Sequence, residues 1–247
     1  MNREAIELWS DDIGAAATVI RYGHWGRPAL VFPSSRGRAA DFENFGMVGA
    51  VTDLIDAGRL KLYCVDSYDA ASWFDAGIPL EERARRHGRY ESWILGDVVP
   101  WIHRDCGGPA ELITLGCSLG AFHAANFALK RADLFPLAMC FSGNYDPSAW
   151  NGWGERGLAA YFNSPLDYVA NTAGDHLDWL RGRLSLLLVC GQGQWEDTTG
   201  ALGSTRQLAA LLADKGIKHE VDLWGYDVPH DWASWRAQLA RNMPRFC

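Results

Sequence analysis

A serine flanked by glycines, Gly116-Cys117-Ser118-Leu119-Gly120, stands between an apolar run, ELITL, and a segment of helical periodicity, AFHAANFALK. A serine hydroxyl attacks an acyl carbon only when a base takes its proton, and the base works best when an acid fixes its tautomer. A strand that delivers the serine into a sharp turn, with a helix starting at once, exposes the hydroxyl. It also aims the free N–H groups of the helix start at charge developing nearby. The glycines let strand and helix pack where side chains would collide. The five-residue pattern alone is weak; its setting between strand and helix points to Ser118 as a nucleophile.

The base must be sought among seven histidines, His24, His87, His103, His123, His176, His219 and His230. His230 stands out, in a short loop (WGYDVPHDWASW) between the strand-like run HEVDLWG and the last helical pattern. The others lie early in the chain, on helix faces, in an irregular segment or at a strand start, and read as solvated or satisfied structural histidines. When an elbow supplies the serine, the acid follows it and precedes the histidine. That order places the acid in the loop after LSLLLVC, at Glu196 or Asp197. Neighbouring residues rarely both face one imidazole, so one orients the base and the other caps or solvates the loop. The tetrahedral oxygen needs two backbone donors. Leu119, which follows the nucleophile, supplies one. The loop after ALVFP supplies the other, at Ser35 by its offset from the strand end, with Ser34 as the alternative. Arg36 could meet an anionic substrate, although an exposed loop arginine is the plainer reading.

The elements that must position these residues follow from the pattern. Strands are expected at 16–22, 29–34, 60–66, 111–116, 137–143, 184–191 and 219–225, and helices at about 40–58, 80–104, 119–131, 204–216 and 231–241. The central strands are apolar on successive residues, as in strands covered on both faces. Alternation of strands with helices long enough to be crossovers implies an α/β fold with a mostly parallel sheet and helices on both faces. The segment 144–182, rich in Gly, Pro, Asn and aromatics, is too long for a plain loop. It reads as a small cap-like insertion before the acid-bearing strand, within a single domain spanning 1–247. Trp150, Trp153, Trp179, Trp195 and Trp232 lie in that segment or beside the proposed loops, where they suit an aromatic-lined pocket and core packing equally.

Composition narrows the partners. A net charge of −7 argues against nucleic acid or an anionic membrane as partner. The one basic stretch, RARRHGR at 83–89, reads as the solvated face of a helix. No apolar stretch has the length of a membrane span and the N-terminus carries no secretory pattern, so a cytoplasmic protein is expected. The six cysteines form no CxxC pair; Cys64, Cys140 and Cys190, in or beside strand-like runs, read as buried reduced thiols.

VFPSSRG, LGCSLGAFHAANFALKRADLF, CGQGQWED and WGYDVPHDWASWR together resemble the α/β-hydrolase superfamily across nearly the whole chain. Within it they are most similar to the esterases that include esterase D-like enzymes and the mycobacterial mycolyltransferases. The resemblance implies an α/β-hydrolase fold and a serine hydrolase that cleaves small-molecule carboxylic esters through an acyl-enzyme, without metal or organic cofactor. Acyl transfer on the same triad, or a non-catalytic binding protein on the same fold, are the alternatives. The glycine-bearing acid loop is similar to the loop that presents a glutamate in the mycolyltransferases, which favours Glu196. Pro33-Ser34 stands where that family usually has His-Gly, so the second oxyanion donor departs from the pattern.

Overall fold

Eight strands form one sheet in the computed structural model, which describes residues 1–247. They are β1 (Arg3–Ser10), β2 (Ala15–Tyr22), β3 (Arg27–Phe32), β4 (Leu60–Val65), β5 (Ile113–Cys117), β6 (Leu137–Phe141), β7 (Ser185–Cys190) and β8 (Lys218–Leu223), in the spatial order β1-β2-β4-β3-β5-β6-β7-β8. From β4 to β8 every pairing is parallel, while β1 and β2 pair antiparallel at one edge. The mostly parallel α/β fold expected from the alternation is therefore present.

The helices are α1 (Asp41–Asn44), α2 (Thr52–Asp56), α3 (Leu80–Trp93), α4 (Val99–Asp105), α5 (Leu119–Lys130), α6 (Leu158–Tyr161), α7 (Pro165–Asn171), α8 (Gly174–Arg183), α9 (Ala201–Asp214) and α10 (Trp232–Asn242). Successive strand residues point to opposite faces, and the core divides accordingly. Leu30 and Phe32 of β3 pack with residues of α3, α4, α5, α8 and α9. Ala29 and Val31 pack on the other face with residues of α2 and α10. Cys64, Cys140 and Cys190 are buried in β4, β6 and β7.

Three expectations are corrected. The first strand, β1, was missed. Its apolar signal is weak because it is an edge strand, exposed on most residues, with Ile6 and Leu8 its only apolar residues turned toward the core and Ser10 buried beyond them. The helix expected at 40–58 is broken into α1, a short 3-10 turn and α2. Gly46, at φ +78°, takes the left-handed conformation that ends α1. The helix expected at 80–104 contains a π turn at Ile94–Val98. Pro100 lies two residues beyond; it has no N–H to continue an α-helical ladder, and its ring would crowd the carbonyl four residues back.

The segment 144–182 is ordered as a 3-10 turn and helices α6 to α8. Leu177 and Leu180 of α8 enter the core, so its last turns form a crossover between β6 and β7. No helix is long and apolar enough to cross a membrane.

The stretch RARRHGR is only partly a solvated face. Arg85 is exposed and pairs with Glu81 and Glu82. Arg83 and His87, four apart and so on one side of α3, are buried beside Leu80 and Ala84. Arg83 donates to the carbonyls of Ile78, Trp73 and Trp150. His87 is neither solvated nor satisfied. It is 0% exposed, lies among Trp73, Tyr90, Phe122, His123 and Phe127, and both ring nitrogens lack a hydrogen-bond partner.

Burial, then the nearby His123 and Lys130, hold the His87 imidazole well below its usual pKa. Glu91, 3.7 Å away, could favour the charged form, but it is engaged by Lys130. The folded value lies below the unfolded one, so the unfolded chain takes up this proton first as pH falls. Stability from this residue is therefore complete above about pH 6.5 and lost below it. His87→Phe should shrink the stability loss that denaturant melts record between pH 7 and 5, by up to about 2 kcal/mol, the most that one proton can contribute over that range. Equal losses in variant and wild type would refute the assignment.

Candidate active site

Ser118 closes β5 and precedes α5 with φ 56° and ψ −119°. A serine at a helix start ordinarily caps the helix through its hydroxyl. In this strained conformation Ser118 makes no such bond, and its Oγ is free to turn outward. The strain is held by backbone contact on both sides. The Ser118 N–H donates to the Phe141 carbonyl at 2.8 Å. A Cβ on Gly116 would lie 2.2 Å from the Gly120 carbonyl, and one on Gly120 would lie 2.4 Å from the Phe32 oxygen. Only glycine fits at either position.

His230 reaches the hydroxyl from the loop between β8 and α10. Its Nε2 lies 3.0 Å from Ser118 Oγ, and its Nδ1 lies 2.9 Å from Glu196 Oε2. Three backbone bonds join the loops that carry base and acid: the His230 N–H donates to Gln194 O and the Gly193 N–H to Val228 O, each at 2.9 Å, and the Gln192 N–H donates to Gly225 O at 3.2 Å. Trp235, one turn into α10, sets its ring edge-on to the imidazole with centroids 4.9 Å apart.

Of the two candidate acids, Glu196 is the one brought to His230. It is 1% exposed, and its carboxylate gathers a full set of donors. Oε1 accepts from the Ser142 hydroxyl at 2.5 Å and the Gly191 N–H at 3.2 Å; Oε2 accepts from the Cys190 thiol at 3.5 Å. The Ser142 hydroxyl in turn accepts from Trp235 Nε1 at 3.1 Å. Burial and the adjacent carboxylate push the Cys190 thiol far above its usual pKa, so it remains a neutral donor. Asp197 is exposed and accepts the N–H of Thr198. Ser142 and Trp235 escaped the sequence reading. Trp235 had a signal, being the second tryptophan of DWASW; a serine after a strand carries none.

A cleft of about 170 Å³ opens over Ser118, bordered by Ser35, Leu119, Phe74, Trp150, Asn144 and Thr199. Leu119 is the first residue of α5, so its N–H has no helical acceptor. Ser35 borders this cleft, whereas Ser34 borders a separate small void beside Trp232. The N–H of Arg36 is committed to Asp69 Oδ2 at 3.0 Å, and its guanidinium lies over the Phe74 ring, 5.5 Å from the centroid. Among the five tryptophans, Trp150 lines the cleft, wedged against Phe122 of α5 and Trp73. Trp153 and Trp195 are exposed, Trp232 stacks on Phe45, and Trp179 stacks on His176. Phe74 is the aromatic wall that the sequence did not reveal.

Comparison with known proteins places the chain. A family model described as "Putative esterase" matches residues 43–246. The chain belongs to this esterase family. Among solved structures, a ferulic acid esterase is similar with a TM-score of 0.75 at 15% identity, covering 99% of this chain and 97% of that one. MPT51 of Mycobacterium tuberculosis is similar with a TM-score of 0.77 at 14% identity, over 99% and 97% of the two chains. An S-formylglutathione hydrolase of Agrobacterium tumefaciens gives 0.73 at 14% identity, over 99% and 93%. No curated protein matches in sequence. At these identities the structural likeness shows the α/β-hydrolase fold alone.

The elbow of this esterase-family chain makes a sharp expectation. Gly120→Ala forces a Cβ onto backbone oxygens that cannot step aside, an overpacking worth about 3 kcal/mol. For a chain of this length that corresponds to a melting temperature lower by roughly 6–12 °C. Gly88→Ala, inside α3 with open space around its Cβ, should leave the melting temperature unchanged or slightly raised. Equal melting of both variants would show that the close approach is dispensable.

Proposed function

We propose that the protein is a serine hydrolase that cleaves carboxylic esters of small molecules through Ser118, His230 and Glu196. The observation that carries this reading is the unbroken hydrogen-bond chain from a strained, outward-turned serine hydroxyl, through one imidazole, to a buried carboxylate. Membership of the esterase family supports it. Two structural neighbours, by name a ferulic acid esterase and an S-formylglutathione hydrolase, are in keeping with acyl chemistry on this fold.

Ser118 Oγ attacks the acyl carbon as its proton passes to His230 Nε2. Glu196 keeps the imidazole proton on Nδ1 and stabilises the imidazolium that forms. The carbonyl oxygen becomes an oxyanion held by the N–H groups of Leu119 and Ser35. Collapse breaks the ester C–O bond, His230 returns the proton to the leaving alcohol, and an acyl-Ser118 remains. Water, deprotonated by the same histidine, attacks that acyl group; the acyl C–Oγ bond breaks, His230 returns the proton to Ser118 Oγ, and the carboxylic acid departs. The segment around Trp150 forms one wall of the acyl or alcohol site, which is the sense in which 144–182 acts as a cap.

Treatment with a fluorophosphonate, read by mass spectrometry, should place one adduct on Ser118 in the wild type and none in Ser118→Ala or His230→Ala. No adduct on the wild type, under conditions that label a known esterase, would defeat the proposal. Glu196→Gln should lower kcat on the order of 10³–10⁴-fold by allowing the wrong tautomer, while Asp197→Asn should keep full activity. The reverse ranking would move the acid to Asp197.

A further inference from the structure

A second buried carboxylate touches both the nucleophile's helix and the proposed oxyanion loop. Asp69 sits in a short 3-10 turn after β4 and is 1% exposed. Its Oδ2 accepts the Arg36 N–H at 3.0 Å, and its Oδ1 lies 3.2 Å from Nε2 of His123 in α5. His123 is itself 1% exposed, and its other ring nitrogen has no partner. The histidine is thus spent on Asp69 alone. No other side chain hydrogen-bonds to the Asp69 carboxylate.

The turn that Asp69 grips is the one that carries Ser35. It is closed by the Gly37 N–H donating to Ser34 O at 2.9 Å, and Arg36 occupies the left-handed region at φ 54°. A turn of this kind has two states, related by rotation of its central peptide, here the one joining Ser35 and Arg36. A non-glycine residue in third place favours the state without positive φ. The observed state persists because its Arg36 N–H meets a buried carboxylate, a bond of the stronger, charge-assisted kind. Rotation would break that bond, turn the Ser35 carbonyl and release the turn from the carboxylate that anchors it beside the cleft. A bare anion one residue from Ser35 would also oppose the charge that forms on the substrate oxygen. The Nε2 proton of His123, donated to Asp69, offsets it.

We propose that Asp69, held by His123, is a positioning residue that anchors the turn at the Arg36 N–H and so fixes the loop that presents the Ser35 N–H to the cleft. The inference rests on the hydrolase reading above, and on Ser35 as the second oxyanion donor.

The test uses the full chain and p-nitrophenyl acetate, with Asp69→Ala, Asp69→Asn, His123→Phe and His123→Gln compared with wild type and Ser118→Ala. Asp69→Ala and His123→Phe should lower kcat by roughly 10- to 100-fold with little change in KM, since the lost contact matters only once the oxyanion forms. Affinity for phenylboronic acid, which becomes tetrahedral on adding to a serine oxygen, should fall by a similar factor. Asp69→Asn and His123→Gln keep an acceptor or a donor in place and should recover most of the activity. Cooperative melting of each variant shows that it is folded. Should Asp69→Ala fail to fold, His123→Phe carries the same expectation, because a phenyl ring suits the surrounding Phe32, Tyr90 and Phe122. Wild-type kcat and boronate affinity in folded Asp69→Ala or His123→Phe would overturn the positioning role while leaving the hydrolase reading intact. Turnover that Ser118→Ala leaves unchanged would overturn both.

Discussion

Two backbones meet at Gly116 and Gly120, and the geometry of the site depends on that contact. β5 is the middle of the sheet, flanked by β3 and β6, so its end cannot shift without disturbing both neighbours. α5 starts immediately beyond it and is buried along almost its entire length. A chain that must reverse from such a strand into such a helix within one residue has no relaxed conformation available. Ser118 takes the strain at φ 56°, and the strain is what withdraws its hydroxyl from helix capping and presents it to His230. The surrounding core over-determines that single residue, through the Phe32 and Phe141 carbonyls and the packing of α5 on β5.

The other parts of the site are held by charge. Three buried carboxylates stand near the ends of the strands: Asp66, Asp69 and Glu196. Desolvating each is costly unless its oxygens meet donors. Asp66 accepts the N–H groups of Ala39 and Thr18, Asp69 that of Arg36, and Glu196 that of Gly191 beside its side-chain partners. The loop after β3 is consequently fixed twice, at Arg36 and at Ala39, by anions that hydrophobic packing could not replace. Loops carry few apolar contacts of their own, and charge-assisted bonds to a rigid frame give them a fixed aim. The wall formed by Phe74 and Trp150, with Trp73 packed behind it, is tied in a complementary way, by the buried guanidinium of Arg83 on the Trp73 and Trp150 carbonyls.

What could be read from the sequence follows the same division. The elbow was legible because glycine spacing, a strand and a helix must coincide for it to form. The sheet was legible because its central strands are uniformly apolar. His230 was legible from chain order and its place between the last strand and the last helix. Edge strand β1 was not, since an exposed strand shows little apolar signal, and the breaks near Gly46 and Pro100 were masked by continuous helical periodicity on either side. Glu196 and Asp197 are neighbours of nearly equal chemistry; the resemblance favoured Glu196, and of the two only Glu196 turns inward to meet His230. Ser142, Asp69 and Phe74 left no local mark. Each acts through a partner 33 to 54 positions away in sequence, and only folding brings such pairs together.

Three histidines show how environment, and not residue type, assigns the chemistry. His87 is buried with no acceptor for its ring nitrogens, and burial keeps it neutral. His123 is almost as buried but meets Asp69 with one ring nitrogen, while the other reaches no polar group. His230 has the same kind of partner in Glu196, yet its side chain is 10% exposed and its free nitrogen faces a hydroxyl at the floor of an open cleft. A proton held on one ring nitrogen is useful only when the other can reach a reacting group. Of the three, His230 alone meets a carboxylate on one nitrogen and a hydroxyl on the other, and it does so because the last loop leaves the sheet edge at β8 and crosses back over the end of β5.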